Sequence, residues 1–302
     1  MFIIKFRTVF IGVSLVLTLA ALVAYFVWGL KPGIDFTGGT LMEISRGTAS
    51  EQELTARIVE VTQSDISVRP TEGGFIARTR ELTPAEVSTI TEKVAAVGQG
   101  TVVTRVSSVG PSLGDELYRK SLLALALVAL GITLFIAIAF WRVSKPVSSW
   151  IYGLVTLVTL IHDVIIPVGA FSLLGAFAQV EIDALFVVAL LTILGFSVHD
   201  TIVVFDRVRE NLRINQETNK QEDFERTVGR SLTQTYARSI NTSLTTIIVL
   251  LALFFLGGPA TEDFALALLI GIAAGTYSSI FFASPLLVMI ERWGKGKTKA
   301  VS

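Results

Sequence analysis

Two adjacent pairs of titratable residues, His162-Asp163 and His199-Asp200, interrupt long apolar stretches of this sequence. Each stretch has the length of about 20 residues that a helix needs to cross the hydrocarbon core of a bilayer. An ionisable side chain inside a membrane costs at least ~2.5 kcal/mol, so it usually serves a function there. A carboxylate at such a depth can be held near the balance between its charged and neutral forms, and it can then carry a proton.

A cation that could control Asp200 stands at the start of a later apolar stretch. Arg238 is followed there by five polar residues between Asn241 and Thr246. At a rise of ~1.5 Å per residue, Asp200 lies ~9 Å inward from Asp206, at the cytoplasmic end of its own stretch. An Arg side chain on the next helix can reach that depth, so we expect Asp200 and Arg238 to meet. Movement of Arg238 would then let Asp200 load and release a proton; the alternatives are an ordinary interfacial Arg and a purely structural carboxylate.

Asp163 and the two histidines are candidates for an extended proton path. Imidazole titrates near neutral pH, although a histidine between helices more often only donates a hydrogen bond. Counted from Lys145, Asp163 lies ~27 Å along its helix, which predicts a position nearer the outer surface and ~15 Å from Asp200. An aspartyl protease needs two carboxylates close enough to share a proton. This separation, and the lack of a Gly-x-Gly-Asp pattern around them, argue against an intramembrane protease.

The composition is that of a membrane protein. The 302 residues are 52% hydrophobic and 17% charged, whereas a soluble domain carries roughly 25% charged residues. The mean hydropathy is +0.66. A formal net charge of zero gives no basic field for nucleic acid. With no Cys and only two His, the sequence excludes disulfides and thiolate metal sites, and we expect no metal and no cofactor.

Six stretches are long and apolar enough to be transmembrane helices. The first of them has too long an apolar core for a signal peptide, and Trp28 and Lys31 mark an interface after it. The predicted spans are Thr8–Leu30, Ser121–Trp141, Val147–Leu174, Ala184–Phe205, Ser239–Gly257 and Phe264–Ile290.

Among the short connections, Lys and Arg occur only in every second one. The connections Gly175–Asp183 and Gly258–Asp263 contain neither. Cytoplasmic loops carry the basic residues, so both termini are predicted to lie in the cytoplasm. The predicted layout is a first span within residues 1–30, an extracytoplasmic domain at 31–120, five spans within 121–292 with a charged helical segment at about 206–237, and a basic tail at 293–302. The basic residues are Lys5, Arg7, Arg142, Lys145, Arg207, Arg209, Arg213, Lys220, Arg226, Arg230, Arg238, Lys295, Lys297 and Lys299.

The segment 31–120 alternates between strand and helix patterns. Ser50 with Glu53, and Thr83 with Glu86, form capping boxes at two helix starts. The order β-α-β-β-α-β predicts a small α+β domain with a ferredoxin-like fold. It is inserted between the first and second helices of an all-α six-helix membrane bundle. The predicted elements are strands Gly39–Arg46, Asp65–Thr71, Phe75–Glu81 and Thr101–Val109, and helices Ser50–Gln63 and Thr83–Val97.

Four segments together resemble the SecD/SecF family of the resistance-nodulation-division superfamily, and its SecF members in particular. The segment 33–40, GIDFTGGT, is similar to the motif that follows the first helix in that family. The segments 160–165, 195–211 and 238–246 are similar to motifs of its third, fourth and fifth helices. The motif residues outside the membrane centre are Gly33, Asp35, Phe36, Gly38, Gly39, Asp206 and Arg207.

The resemblance implies a function and partners. Members pair with SecD in the bacterial cytoplasmic (inner) membrane and use the proton-motive force to move unfolded preprotein through the SecYEG channel, with YajC and SecA as further partners. The family's key carboxylate corresponds to Asp200 and its Arg partner to Arg238; His199 stands where many members carry Asn. No enzymatic activity is implied. The alternatives are a proton-driven exporter of small molecules or lipids from the same superfamily, and a structural stabiliser of the channel without proton coupling.

Overall fold

The computed structural model describes residues 2–64, 66–71, 73–140 and 147–300, with side chains described except at 259–260 and 294–300. Arg142 and Lys145, on which part of the orientation argument depends, lie outside the described residues. The same holds for Asp65 and for the side chains of the three tail lysines, Lys295, Lys297 and Lys299.

Within the described residues, six helices are long and apolar enough to cross a membrane, as the hydropathy pattern predicts. Several continue well beyond the predicted spans, because polar residues end a span without ending a helix. The second begins at Pro111 rather than at Ser121. The six are α2 (Arg7–Trp28), α6 (Pro111–Ala139), α7 (Ser149–Ala178), α8 (Ala184–Glu217), α9 (Phe224–Leu256), and a composite of α10 (Pro259–Ser278), a π-helix (Ser279–Ala283) and α11 (Ser284–Ala300).

The charged segment 206–237 is helical, as predicted. It consists of the end of α8 and the start of α9, joined by a short connection at 218–223. Asn211 and Asn215 of α8 bond across this helix pair, Asn211 to Ser231 at 2.8 Å and Asn215 to Thr227 at 3.1 Å. The two helices are therefore tied together beyond the apolar spans.

A four-stranded antiparallel sheet with two helices forms a separate small domain between α2 and α6. Its strand order is β2-β3-β1-β4. Both capping boxes form as predicted, at Ser50 and at Thr83. Apolar residues of strands and helices, among them Met42, Leu54 and Ile90, make its own core. The elements are β1 (Gly39–Ser45), α4 (Glu51–Thr62), β2 (Ser67–Thr71), β3 (Gly74–Thr79), α5 (Pro84–Ala95) and β4 (Val103–Val109), preceded by the short helices α1 (Phe2–Lys5) and α3 (Ile34–Thr37).

The composite sixth helix packs closely on α8 because its residues at the contact are small. A Cβ at Gly271 would lie 2.1 Å from the side chain of Ile193, and one at Gly275 would lie 3.1 Å from that of Ser197. Small residues let helix backbones approach in a membrane bundle. This approach brings the polar residues of α10 within reach of those on α8.

The π-helix ends at Ala283, two residues before Pro285. A proline inside a helix has no N–H and displaces the carbonyl one turn before it. Here the turn widens, and the Ser284 hydroxyl donates to the Ser279 carbonyl at 3.4 Å. Wide turns of this kind often occur at functional sites. Ser278 and Ser279, at the start of the wide turn, are both fully buried.

Candidate functional site

Asp163 of α7 is completely buried and has three polar partners. One carboxylate oxygen lies 2.8 Å from Nδ1 of His162, the preceding residue. The other accepts hydrogen bonds from the hydroxyl of Ser278, at 2.8 Å, and from that of Ser197 on α8. A buried carboxylate normally needs such partners, because its desolvation is costly. Asp163 therefore joins α7, α8 and α10 at one point.

Asp200 of α8 is also buried, with 2% of its surface exposed, but its partners are fewer. The Ser243 hydroxyl of α9 donates to one carboxylate oxygen at 3.5 Å, the upper limit for such a bond. Thr276 of α10 donates in turn to the Ser243 oxygen at 2.6 Å. In the part of the chain that the structure describes, no ion pair involves Asp200. Its ionised form is thus poorly compensated compared with that of Asp163.

The predicted separation of ~15 Å between Asp163 and Asp200 is wrong, because the two carboxylates lie at much more similar depths in the bundle. Asp163 contacts Ser197, which is three residues, or ~4.5 Å of helix rise, from Asp200. The reason is the shared connection 179–183: Asp163 and Ser197 are nearly equally far from it along two antiparallel helices. Counting from Lys145 overstated the position of Asp163 along α7 by ~6 Å, because α7 begins only at Ser149, and Asp206 was a poor second reference because α8 continues to Glu217.

No hydrogen bond joins Asp163 directly to Asp200 within the described residues. Each carboxylate has its own hydroxyl groups. The arrangement is two neighbouring networks, one through Ser197 and Ser278 and the other through Ser243 and Thr276. It is not the proton-sharing pair of an aspartyl protease.

Arg238 does not meet Asp200 in this structure, contrary to the expectation from depth. The Arg238 side chain is exposed, and no ion pair of the described residues includes it. Its neighbour Ser239 is buried instead, on the same helix face as Ser243. Successive residues of a helix point about 100° apart. The expected contact fails because the Arg238 side chain lies on a different face of α9 from Ser239 and Ser243.

Only one of the two histidines belongs to the site. His162 is buried, and besides its bond to Asp163 its ring packs against Phe282 with centroids 5.2 Å apart. Its Nε2 has no hydrogen-bond partner among the described atoms. His199 is exposed on α8, although it precedes the buried Asp200.

The hydroxyl groups of the site were not recognised from the sequence as functional. Ser197, Thr276 and Ser278 lie in long apolar helices, and Ser243 was noted only as one of the polar residues that follow Arg238. A signal does exist for three of them: Ser197, Ser243 and Thr276 each lie three or four residues from another buried polar residue, on one helix face. Ser197 and Asp200 on α8 have this spacing.

The motif around Gly33 lies outside the bundle and positions α8. The Gly33 N–H donates to the Ile182 carbonyl at 2.7 Å, and the Asp35 carboxylate accepts from the Ala184 N–H at 2.9 Å. Asp183 accepts from the Phe186 N–H at 2.9 Å. Two carboxylates thus cap the first turn of α8, where the helix dipole favours negative charge. The α8 start is tied to the chain that enters the sheet domain.

The same motif is packed as well as hydrogen-bonded. Phe36 is buried in the same apolar cluster as Phe171 and Phe186, and its ring centre lies 6.0 Å from that of Tyr118 on α6. Gly38 and Gly39 both have positive φ, 75° and 130°. A Cβ at Gly38 would lie 2.8 Å from the backbone of Pro111, the first residue of α6. The motif therefore joins α6, α8 and the first strand.

Two ion pairs dock the sheet domain on the bundle. Arg69 of β2 binds Asp263 of α10 at 3.0 Å, and Arg78 of β3 binds Glu181 in the connection before α8. Burial, together with the nearby Arg69, lowers the pKa of the Arg78 guanidinium to about 10. Burial also raises the pKa of Asp183 in the same region.

The remaining motif residues, Asp206 and Arg207, lie on the exposed part of α8. Arg207 pairs with Glu210 at 2.8 Å, and Asp206 is 3.7 Å from Arg209. Such exposed pairs contribute little to stability. The structure does not bring these two residues to the buried carboxylates.

Comparison with known proteins gives a consistent result. The family model "Protein export membrane protein SecD/SecF, C-terminal" matches residues 89–293, and the model "SecD/SecF GG Motif" matches residues 26–48. A protein translocase subunit SecF of Thermobaculum terrenum is 42% identical, over 96% of this chain and 93% of the relative. The protein of the same description in a Synechocystis strain is 37% identical, over 91% of this chain and 87% of the relative.

Solved structures agree with the sequence relatives. The crystal structure of SecDF, a translocon-associated membrane protein from Thermus thermophilus, matches with a TM-score of 0.81 and 34% identity. The match covers 96% of this chain but only 38% of that one. A second structure, SecDF in a super-membrane-facing form, has a TM-score of 0.70 at 32% identity. The chain thus spans well under half of the SecDF polypeptides that it matches.

Proposed function

This chain belongs to the SecD/SecF family of protein export membrane proteins, and from that premise we propose that it couples proton movement through its membrane helices to the export of unfolded preprotein. The observation that carries the coupling is Asp200, a buried carboxylate that among the described residues accepts a hydrogen bond from Ser243 at 3.5 Å and takes part in no ion pair. Proton binding would remove a charge that its surroundings compensate poorly. Asp200 is therefore the proposed proton carrier.

The second network supplies the proposed continuation of the proton path. Asp163 contacts Ser197, which lies one helical turn from Asp200 on α8. It also contacts His162. Hydroxyl and imidazole groups can both donate and accept hydrogen bonds, so they can pass a proton between carboxylates. His199 is exposed, so we assign it no relay role in this conformation.

Arg238 is the proposed electrostatic gate, and it acts in a second conformation. In the conformation described here, Ser243 holds the position next to Asp200, and Arg238 lies on an adjacent face of the same helix. A rotation of α9 would exchange the weak hydroxyl contact for an ion pair with ionised Asp200. Protonation of Asp200 would remove that attraction, so the two helices would move with each proton.

The proposed partners follow from the family. SecD is the first proposed partner, since this chain matches 38% of a SecDF chain. Together they would act on the SecYEG channel, with YajC and SecA as further components, in the bacterial inner membrane. The proposed role is transport, with no catalysed covalent reaction.

The sheet domain is proposed to be a ferredoxin-like domain that lies outside the cytoplasm. The strand order β2-β3-β1-β4 and the helices between its strands support the first point. Its two ion pairs with the α7–α8 connection and α10 support a role in transmission. A shift of α8 would reach the domain through Glu181 and Asp35.

The proposed function predicts a dependence on this chain in a vesicle assay. Translocation of a preprotein into membrane vesicles should rise on imposing a proton gradient when the vesicles contain this chain and its SecD partner. Vesicles prepared without the chain should show little of that rise. The measurement is the protease-protected fraction of preprotein. An equal rise in both preparations would exclude a coupling role for the chain.

The proposed orientation predicts which single cysteines an impermeant thiol reagent can reach. The natural chain has no Cys, so each variant carries one site. Gly73→Cys, in the exposed β2–β3 turn, should be labelled in intact spheroplasts. Gln216→Cys, exposed at the end of α8, should be labelled only after lysis. Labelling of Gln216→Cys in intact spheroplasts would reverse the orientation.

A further inference from the structure

An apolar cleft lies at the end of the bundle where the N-terminal segment meets α9. Its volume is about 500 Å³, within the range of pockets that hold small ligands. The N-terminal helix α1, the face of α9 around Thr233 and Tyr236, and Phe281 of the π-helix line it. Apolar groups dominate these walls, so the cleft suits a hydrocarbon chain.

The N-terminal segment has the character of a helix that lies in a membrane interface. Ile4 is buried, with 2% of its surface exposed, whereas Phe2 and Phe6 are 66% and 40% exposed. Lys5 stands between these aromatic residues, and its Nζ lies 5.8 Å from the centre of the Phe6 ring. Exposed aromatic side chains beside a cation are typical of segments that insert partly between lipid headgroups.

Two cations flank the cleft without ion pairs of their own. Lys5 lies three residues from Phe2, and Arg226 lies seven residues before Thr233, so each shares a helix face with a residue that lines the cleft. Both are exposed, and neither takes part in an ion pair of the described residues.

The nearest acidic partner on α9 is already engaged. Glu225 is bound by Arg7 at 3.0 Å and by Arg292. Lys5, next to the lining residue Ile4, and Arg226, three residues before the lining residue Gly229, are therefore left as positive charges near the apolar cleft. Basic pockets between transmembrane helices on the cytoplasmic side bind anionic lipid headgroups.

We propose that this cleft binds one molecule of an anionic phospholipid, with an acyl chain between α1 and α9 and its phosphate group at Lys5 and Arg226. This lipid site is independent of the proposed proton coupling. Only its assignment to the cytoplasmic leaflet depends on the proposed orientation. Ala237 lines the cleft and Arg238 follows it directly. A bound lipid therefore holds the part of α9 that carries Arg238.

Native mass spectrometry of the full-length chain in mild detergent tests the site, with phosphatidylglycerol as the probe and phosphatidylcholine as its neutral counterpart. The wild type should bind phosphatidylglycerol more tightly than phosphatidylcholine. Lys5→Gln and Arg226→Gln should each weaken that binding about fivefold and leave phosphatidylcholine unaffected. Both side chains are exposed, so these variants should fold.

A matched pair of variants tests the cleft itself. Thr233 lines the cleft, and its hydroxyl bonds only the Gly229 carbonyl one turn back in its own helix. Thr233→Phe should fill the cleft and weaken the binding of both lipids at least about tenfold, which is the contribution of two buried CH₂ groups. Thr245→Phe is the control, because Thr245 is exposed on the same helix and its hydroxyl also donates to a backbone carbonyl of that helix, that of Thr242.

The outcomes separate the two parts of the proposal. Wild-type affinity for phosphatidylglycerol in Lys5→Gln and Arg226→Gln, or equal affinity of the wild type for both lipids, would overturn the headgroup assignment. Equal effects of Thr233→Phe and Thr245→Phe would overturn the cleft as the acyl site. Neither result depends on proton coupling, so the function proposed above is tested separately.

Discussion

Asp200→Asn should abolish the stimulation of preprotein export by a proton gradient. The amide is neutral at every pH, so it mimics the protonated carboxylate and cannot release a proton. A proton crossing ~200 mV gains roughly 4–5 kcal/mol, which is comparable to a partly buried ion pair. Loss of the titrating group would remove that whole contribution and hold α8 and α9 in one arrangement. The measurement is translocation into vesicles with and without the gradient.

The controls for this experiment lie on the same helices. Glu217→Gln makes the same chemical change at an exposed carboxylate of α8 that pairs with Arg213, and it should respond to the gradient as the wild type does. Arg238→Lys keeps the charge but loses the planar guanidinium, so a partial defect is expected. If Asp200→Asn vesicles respond as fully as wild type, Asp200 is not the proton carrier, and a normal response of Asp163→Asn as well would favour a structural stabiliser of the channel.

Asp163→Asn should be milder than Asp200→Asn in the same assay. Asp163 keeps three polar partners, and an amide oxygen can still accept from Ser197 or Ser278. The bond to His162 is the one that the amide group alters. A complete loss of gradient response in Asp163→Asn, with Asp200→Asn unaffected, would move the proton carrier to α7.

Gly39→Val should destabilise the protein by roughly 3–5 kcal/mol, the largest effect on stability that we expect from one substitution. Gly39 has φ of 130°, a conformation that costs side-chain-bearing residues ~1–3 kcal/mol. A Cβ there would also lie 2.5 Å from the Thr79 carbonyl oxygen, across the β1–β3 pairing. Total stabilities are only ~5–15 kcal/mol, so the amount of folded protein in the membrane should fall sharply.

The comparison variant for Gly39 is Gly131→Ala. A Cβ at Gly131 meets nothing within 4 Å, and the residue lies inside helix α6. Alanine there should be neutral or should stabilise the helix by up to ~1 kcal/mol. Thermal unfolding followed by retention of soluble, monodisperse protein in detergent measures both. A Gly39→Val protein that is as heat-stable as Gly131→Ala would mean that the strand can shift to relieve the contact.

Much of the fold follows from local signals in the sequence. The six membrane helices follow from long apolar runs, because the cost of burying unpaired backbone groups in lipid leaves a helix as the structure such a run adopts. The helices of the sheet domain start where capping residues supply partners for the first free N–H groups, at Ser50 and Thr83. The first signal is contained within one membrane span, and the second within about one helical turn.

The ends of the long helices were less predictable. α6, α8 and α9 extend past their apolar spans, by ten residues before Ser121 in the first case. Hydropathy reports where lipid ends, whereas a helix ends where its backbone bonding ends. Charged residues with high helix propensity, such as those after Asp206, continue a helix into water.

The sequence by itself determined which residues are chemically unusual: two carboxylates, two histidines and one arginine in or beside apolar helices. Only the tertiary structure decided which of them meet. Asp163 lies beside Ser197 because α7 and α8 are antiparallel helices joined by one short connection. Arg238 lies outside the site because Ser239 and Ser243 occupy the buried face of α9. The relative rotation and height of packed helices depend on contacts between segments far apart in the chain, such as Gly271 with Ile193, and a single helix carries no signal for them.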